Sequence, residues 1–343
     1  VSVYRGRRAV SIENGTLRVT VLEGGGHVAE IRDLATGVNP LWTPPWPSIE
    51  PSAYDAGRHP EYGGGADASL LAGIMGHNLC CDIFGGPSAE EAAAGLPAHG
   101  EASTATFDLR AGSGVIEMQA TLPAAQLRVS RQITLRDRLV EFVDAIENLT
   151  AADRPIAWTQ HVTLGPPFLD EHTRIDVTAD RGLTYPGGFG PADYLAPGVE
   201  FAWPDAPRAG GDTADLRRFP GGERSSAYTA QRLDAARAEA SFVAYSPSLG
   251  LALGYAWRRE DFPWLGRWEE NGSRAAAPWN GTSRALGLEF GVSPFPESRQ
   301  AMISRGRTLQ TPGLRWIPAR TRVDARFRAT LRPAPAMPPL GGW

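Results

Sequence analysis

Glu289 stands in the segment RALGLEFGVSPFP, with Gly287 two residues before it and Gly291 two residues after. Side chains alternate between faces along a strand, so Leu286, Leu288 and Phe290 share one face and the carboxylate stands between two bare positions on the other. Glycine weakens a strand interior, and two glycines beside a carboxylate suggest cleared space for a close-packed ligand ring. The plainer reading is a strand glutamate facing water. Two histidines offer the matching proton donor. His161, in IAWTQHVTLGPPF, shares its face with the small or polar Ala157, Thr159 and Thr163, while Trp158, Gln160, Val162 and Leu164 take the other. His99, in LPAHGEAS, lies between Pro97 and Gly100, where a stiff loop could aim the ring. Imidazole changes charge near neutral pH and is the commonest acid or base in proton transfer, although each ring could equally be a satisfied structural residue.

Other chemistries lack their residues. The chain contains no lysine, which removes Schiff-base chemistry and the phosphate-loop lysine. There is no HExxH, CxxC or GxSxG. Asp170, Glu171 and His172 with His161 upstream could ligate a metal, but adjacent strand residues diverge, and no cofactor is expected. Cys80 and Cys81 are neighbours whose side chains point apart on a strand, so both are expected as thiols. A net charge of -4 provides no basic field for nucleic acid and suits a small neutral ligand. No run of about 18 apolar residues is present, so no membrane span is expected. Cytoplasm is the expected compartment, and the start at Val1 leaves open a leader cleaved before it. Oligomeric state is not legible.

The elements that must position these residues read as nearly all β. The 39 glycines and 29 prolines are spread along the 343 residues, punctuating many short strands. Leu17, Val19 and Val21 alternate with polar residues before the turn at Gly24–Gly26, and HVAEIRDLATG is the hairpin partner. Leu127–Asn148 reads as two long strands joined near Asp137 and Arg138, and SFVAY and LALGYAW flank a turn at Gly250. One short helix is expected around Ser88–Ala94, capped by Ser88 and stopped by Gly95. The segment 185–220 reads as long loops forming one wall of a site. The ten tryptophans are mostly core, with one or two expected at a ligand. One large domain over 1–343 accounts for the whole.

The ordered set LPAHGEASTATFDL, IAWTQHVTLGPPFLD and LGLEFGVSPFP resembles the aldose 1-epimerase and galactose mutarotase-like family, as does the opening segment GGGHVAEIRDLATGVNPLW. The resemblance runs from about Ile12 to Leu331. It implies a large antiparallel β-supersandwich and a sugar site in which His99, His161 and Glu289 are catalytic. Glu289 would take the proton of the anomeric hydroxyl, protonated His161 would donate to the ring oxygen, and His99 would steady the developing charge. The sugar-contacting set expected around them is His77, Asn78, Gln160, Asp170, Arg267 and Glu269. The family carries an asparagine and arginine ahead of the HG loop, whereas GHNLCCDIFGGP has His77 and Asn78 and no arginine. Two other functions compete: a noncatalytic carbohydrate-binding protein of the same fold, and a lyase or glycosidase. The last needs a tyrosine base or a second carboxylate, for which Asp170 and Glu269 are the candidates.

Overall fold

A computed structural model describes residues 2–343 and contains 46% strand and 8% helix. The expected hairpins are present. Leu17–Leu22 pairs with Val28–Asp33, Leu127–Arg136 with Leu139–Asn148, and Glu239–Ser246 with Leu251–Arg258. Asp137 and Gly250, in two of their turns, carry positive φ of 49° and 61°. The 88–94 helix forms as Ala89–Ala93 with a complete capping box, Glu91 N donating to Ser88 Oγ (3.2 Å) and Ser88 N to Glu91 Oε2 (2.8 Å). Among the described residues two further α-helices, Ala68–Gly73 and Arg299–Arg305, and three single-turn 3-10 helices go beyond expectation. The Arg299–Arg305 helix was readable, since Ser298 caps it and Gly306 ends it at φ 64°. Among the described residues no helix is long and apolar enough to cross a membrane.

Among the described residues two large antiparallel sheets, of twelve and eight strands, build the body of the molecule, with two two-stranded ribbons beside them. At the centre of the larger one, Arg154–Leu164 lies between His77–Asp82 and Arg284–Gly291, which brings together segments far apart in sequence. Trp264–Asn271 and then Ser225–Leu233 continue the sheet. One face packs on the smaller sheet through a large core that includes Leu79, Trp158, Val162, Leu288 and Phe290. The other face carries a second apolar cluster of Trp42, Trp46, Tyr228, Trp264, Trp268 and Trp279. The region 185–220 is less loop-like than expected, with short strands at Glu200–Ala202, Asp205–Pro207 and Thr213–Asp215.

A buried polar network crosses the inner core. Arg131 and Asp144, on the smaller sheet, form a two-armed ion pair, Nε to Oδ1 at 2.6 Å and Nη2 to Oδ2 at 2.7 Å. Gln160, from the central strand of the larger sheet, accepts from Arg131 Nη2 (2.6 Å) and donates to Asp144 Oδ2 (2.8 Å). His77 Nε2 lies 3.0 Å from the same Gln160 oxygen, and Tyr255 Oη is 3.3 Å from His77 Nδ1. Since the amide oxygen can only accept, the ring is the Nε2–H tautomer and the tyrosine donates to Nδ1. Burial, with Arg131 nearby, holds His77 neutral, its pKa well below the ordinary value. His27 is a second buried ring, with Gly73 O 3.1 Å from Nδ1 and Ser103 O 2.9 Å from Nε2. Burial and the neighbouring Arg7 push its pKa down to about 3, so the neutral ring donates to only one of the two carbonyls.

Removing one member of the buried ion pair strands the other charge. Arg131→Met should therefore cost about 3–5 kcal/mol in urea unfolding, and the double change Arg131→Met/Asp144→Leu should recover most of that loss; equal stability of the single and double variants would contradict this account. The histidines also set an acid limit. In the unfolded chain they bind protons below about pH 6.5, whereas His27 and His77 stay neutral in the fold. Stability is thus complete above that pH and falls as pH drops, by about 1.4 kcal/mol per pH unit for each histidine until the folded-state pKa is reached. Calorimetry at pH 5.5 should detect about two or more protons taken up on unfolding, an uptake that fades by pH 8.

Candidate active site

His161, Glu289 and Asn78 stand in one row across the sheet, because His161 is in register with Glu289 on one side and Asn78 on the other. Residues directly opposite in a sheet share a face, so all three point away from the sandwich core. His161 Nε2 lies 3.0 Å from Glu289 Oε1, and His161 Nδ1 lies 3.1 Å from Thr163 Oγ1, two residues along the same face. Both His161 and Glu289 are almost wholly buried. The His99 ring stands 5.0 Å from that of His161, centroid to centroid. His99, His161 and Glu289 border one cavity of about 90 Å³.

Backbone geometry aims His99. Its φ is +63° and that of Gly100 is +75°, two successive residues in the left-handed region. A Cβ at position 100 would collide with the Cys81 carbonyl, so only glycine lets the loop lie against the end of strand His77–Asp82. His99 N donates to Gly85 O at 2.9 Å and Cys81 N to His99 O at 3.3 Å, which ties the loop to that strand's end. Burial, with His161 and Arg274 nearby, depresses the His99 pKa well below the ordinary value and keeps the ring neutral. Its Nδ1 is sealed from solvent without a hydrogen-bond partner, as are Asn78 Nδ2 and Trp268 Nε1.

The glycines around Glu289 have another purpose than the one expected from sequence. A Cβ at Gly287 would strike the Glu289 carboxylate itself, and one at Gly291 would strike Thr159 Oγ1. The next strand repeats the device, for a Cβ at Gly266, in register with Glu289, would collide with the Tyr228 hydroxyl. The bare positions therefore admit the protein's own side chains. Tyr228 Oη donates to Pro294 O at 3.0 Å, and burial beside Glu289 raises its pKa well above the ordinary value.

Several expected sugar contacts lie elsewhere. His77 and Gln160 face the sandwich interior, where the polar network consumes them, because each is one residue out of step with the Asn78–His161–Glu289 row. Arg267 and Glu269 flank Trp268 on the opposite face of their strand. They form a buried pair at 2.9 Å, with Arg267 donating to Leu216 O and Arg218 O and Glu269 accepting from Ser225 and Tyr194. Asp170 fixes its own loop, accepting from Ser248 Oγ (2.7 Å) and His172 N (2.9 Å). Of the six expected contacts, only Asn78 stands on the site face. Sequence reading missed Asp67 and Arg274, both at the cavity; Phe189, from the 185–220 region expected to form a wall, and the indoles Trp268 and Trp279 line it as well. Arg274 is an arginine within the pocket, supplied by the turn after Trp264–Asn271. Nothing in its local sequence, NGSRAAAP, marks it.

No protein-family model and no curated protein matches the chain by sequence. Solved structures do match in shape. A Klebsiella pneumoniae protein provisionally named an aldose 1-epimerase superposes with a TM-score of 0.67 at 13% identity, over 96% of this chain and 80% of the other. A galactose mutarotase-like protein from Clostridium acetobutylicum gives 0.63 at 12% identity over 97% of both chains. A galactose mutarotase related enzyme from Lactobacillus acidophilus gives 0.59 at 10% identity, over 97% of this chain and all of that one. The chain thus has the all-β, antiparallel supersandwich fold of the galactose mutarotase-like proteins, as its opening hairpin, HG loop and late glutamate led one to expect.

Proposed function

We propose that the chain is an aldose 1-epimerase-like enzyme that interconverts the anomers of a small sugar, with His161 and Glu289 as its acid and base. The observation that carries this reading is the 3.0 Å contact between His161 Nε2 and Glu289 Oε1 at a buried cavity walled by Trp268, Trp279 and Phe84. Ring opening requires one group to remove the proton of the anomeric hydroxyl while another delivers a proton to the ring oxygen. The two oxygens share a carbon, so acid and base must be near neighbours, as these two are. Glu289 accepts the hydroxyl proton, His161 donates to the ring oxygen, and the bond between C1 and the ring oxygen breaks to give the open aldehyde. Rotation about C1–C2 and reclosure with the protons returned yields the other anomer. Neutral His99 donates a hydrogen bond to the oxygen that carries developing charge. Nothing is oxidised or reduced, and no cofactor takes part. Indole faces suit the apolar faces of a sugar ring.

Glu289→Gln keeps shape and hydrogen bonding but cannot accept a proton at neutral pH. Anomer exchange, followed by polarimetry or NMR, should fall at least about 10²-fold while sugar affinity stays within roughly an order of magnitude. Unchanged turnover would remove Glu289 from the mechanism. Sugar binding by the unaltered chain without any exchange would favour the noncatalytic carbohydrate-binding alternative.

A further inference from the structure

The cavity at His161 and Glu289 is narrow. Its volume of about 90 Å³ compares with roughly 300 Å³ or more for small-molecule pockets, so a wall must yield before a sugar ring reaches the two groups. Most walls are fixed. Tyr228 and Trp268 stand on paired strands, and Trp279 is stacked on Trp42 with 6.0 Å between ring centroids. Leu71 sits on helix Ala68–Gly73, which is tied down by Trp46 Nε1 donating to Leu71 O (2.9 Å) and Arg7 Nη1 to Gly73 O (2.5 Å). Phe189 is held differently. It is the one large side chain in the segment 186–191, PGGFGP, whose other residues are all exposed. Gly188 and Gly190 have φ of 74° and 102°, and a Cβ at Gly187 or Gly188 would meet nothing closer than 3.9 Å, so the backbone there neither packs nor resists turning. The ring lies against Tyr185 and Tyr228, 5.2 Å from each centroid. Phe189 N donates to Asp193 Oδ2 at 2.6 Å, which pins the tip of the segment, and Leu195 N donates to the other oxygen of Asp193 at 3.0 Å.

We propose that Phe189 is the gate of this cavity: the glycine-hinged segment 186–191 swings its ring off Tyr228 to admit a ligand, and the ring in its place limits how large a sugar the site accepts. The gate needs only the cavity and the segment, whereas the identity of what passes it as a sugar rests on the proposed function. Opening costs little. One hydrogen bond to Asp193 is exchanged for one to water, and a ring that is already half-buried leaves two neighbours. Moving Tyr228 or Trp268 instead would break strand pairing at the site itself. The surface that Phe189 covers is also the relevant one. The Tyr228 hydroxyl lies over Gly266, the position in register with Glu289, so the tyrosine on which Phe189 rests is the one that walls the carboxylate. Since the phenyl ring fills volume that a larger ligand needs, its size sets a steric limit on what can be held.

His161 reports the gate without any turnover, because diethyl pyrocarbonate acylates only an imidazole that it can reach. Mass mapping of the unaltered chain should find His161 modified much more slowly than the exposed His172. Phe189→Ala should speed modification of His161 at least about tenfold and leave His172 unchanged. A lock tests the converse. A Cβ at Gly190 would stand 3.3 Å from Ser226 Cβ, close to disulfide spacing, so oxidation of the pair Gly190→Cys/Ser226→Cys should shield His161 and reduction should expose it again. Phe189→Ala keeps the test decisive should that pair fail to form. In anomer exchange, the kcat/KM of maltose relative to glucose should rise at least about tenfold in Phe189→Ala. Modification of His161 as fast as His172 in the unaltered chain, or an unchanged His161 rate in Phe189→Ala, would overturn the gate. An unchanged maltose-to-glucose ratio beside faster modification would overturn the size limit. Gated modification without exchange on any sugar would support the gate and sink the proposed function alone.

Discussion

The register of strand Arg154–Leu164 is the constraint on which the site depends. Alternation sends Gln160 inward and His161 outward, and a slip of one residue would exchange them. Gln160 is not free to slip. Its amide bonds Arg131, Asp144 and His77 in the core, and exposing it would leave an ion pair and an imidazole short of partners. The inward amide thus fixes which way the next residue points, and with it the row in which Asn78, His161 and Glu289 stand together. A charged network is a costly way to hold two sheets together, since desolvation consumes much of what the ion pair contributes. Its geometric demands are stricter than those of an apolar core, and here they coincide with the strand that carries the site.

On the outer face the same economy of space recurs with glycine. Gly287, Gly266 and Gly100 each lie where a Cβ would collide with something the site needs: the Glu289 carboxylate, the Tyr228 ring and the seat of the HG loop. The carboxylate and its imidazole are held almost wholly out of water, which strengthens their mutual interaction. A site of this kind is preorganised, with the side-chain orientations largely settled by the fold itself.

The sequence by itself determined the class of fold, the main hairpins, the capped helix at Ser88 and the residues of acid/base type worth testing. Each of these depends on local chemistry: side-chain alternation, turn glycines, a serine followed by glutamate. Even the inward direction of Gln160 was legible, since it sits one residue from His161; counting it as a sugar contact set its polarity above its face. The same period of two places Arg267 and Glu269 opposite Trp268. What only the tertiary structure decided is which distant groups meet. His99, His161 and Glu289 lie on a loop and two strands separated by long stretches of chain, and their contact depends on strand order. Asp67 and Arg274 carried no local signal, because a polar residue in a turn looks alike whether it faces water or a cavity. The glycines beside Glu289 could be seen in the sequence, but what fills the space they leave depends on a side chain's rotamer and on neighbouring strands, which no one-dimensional pattern records.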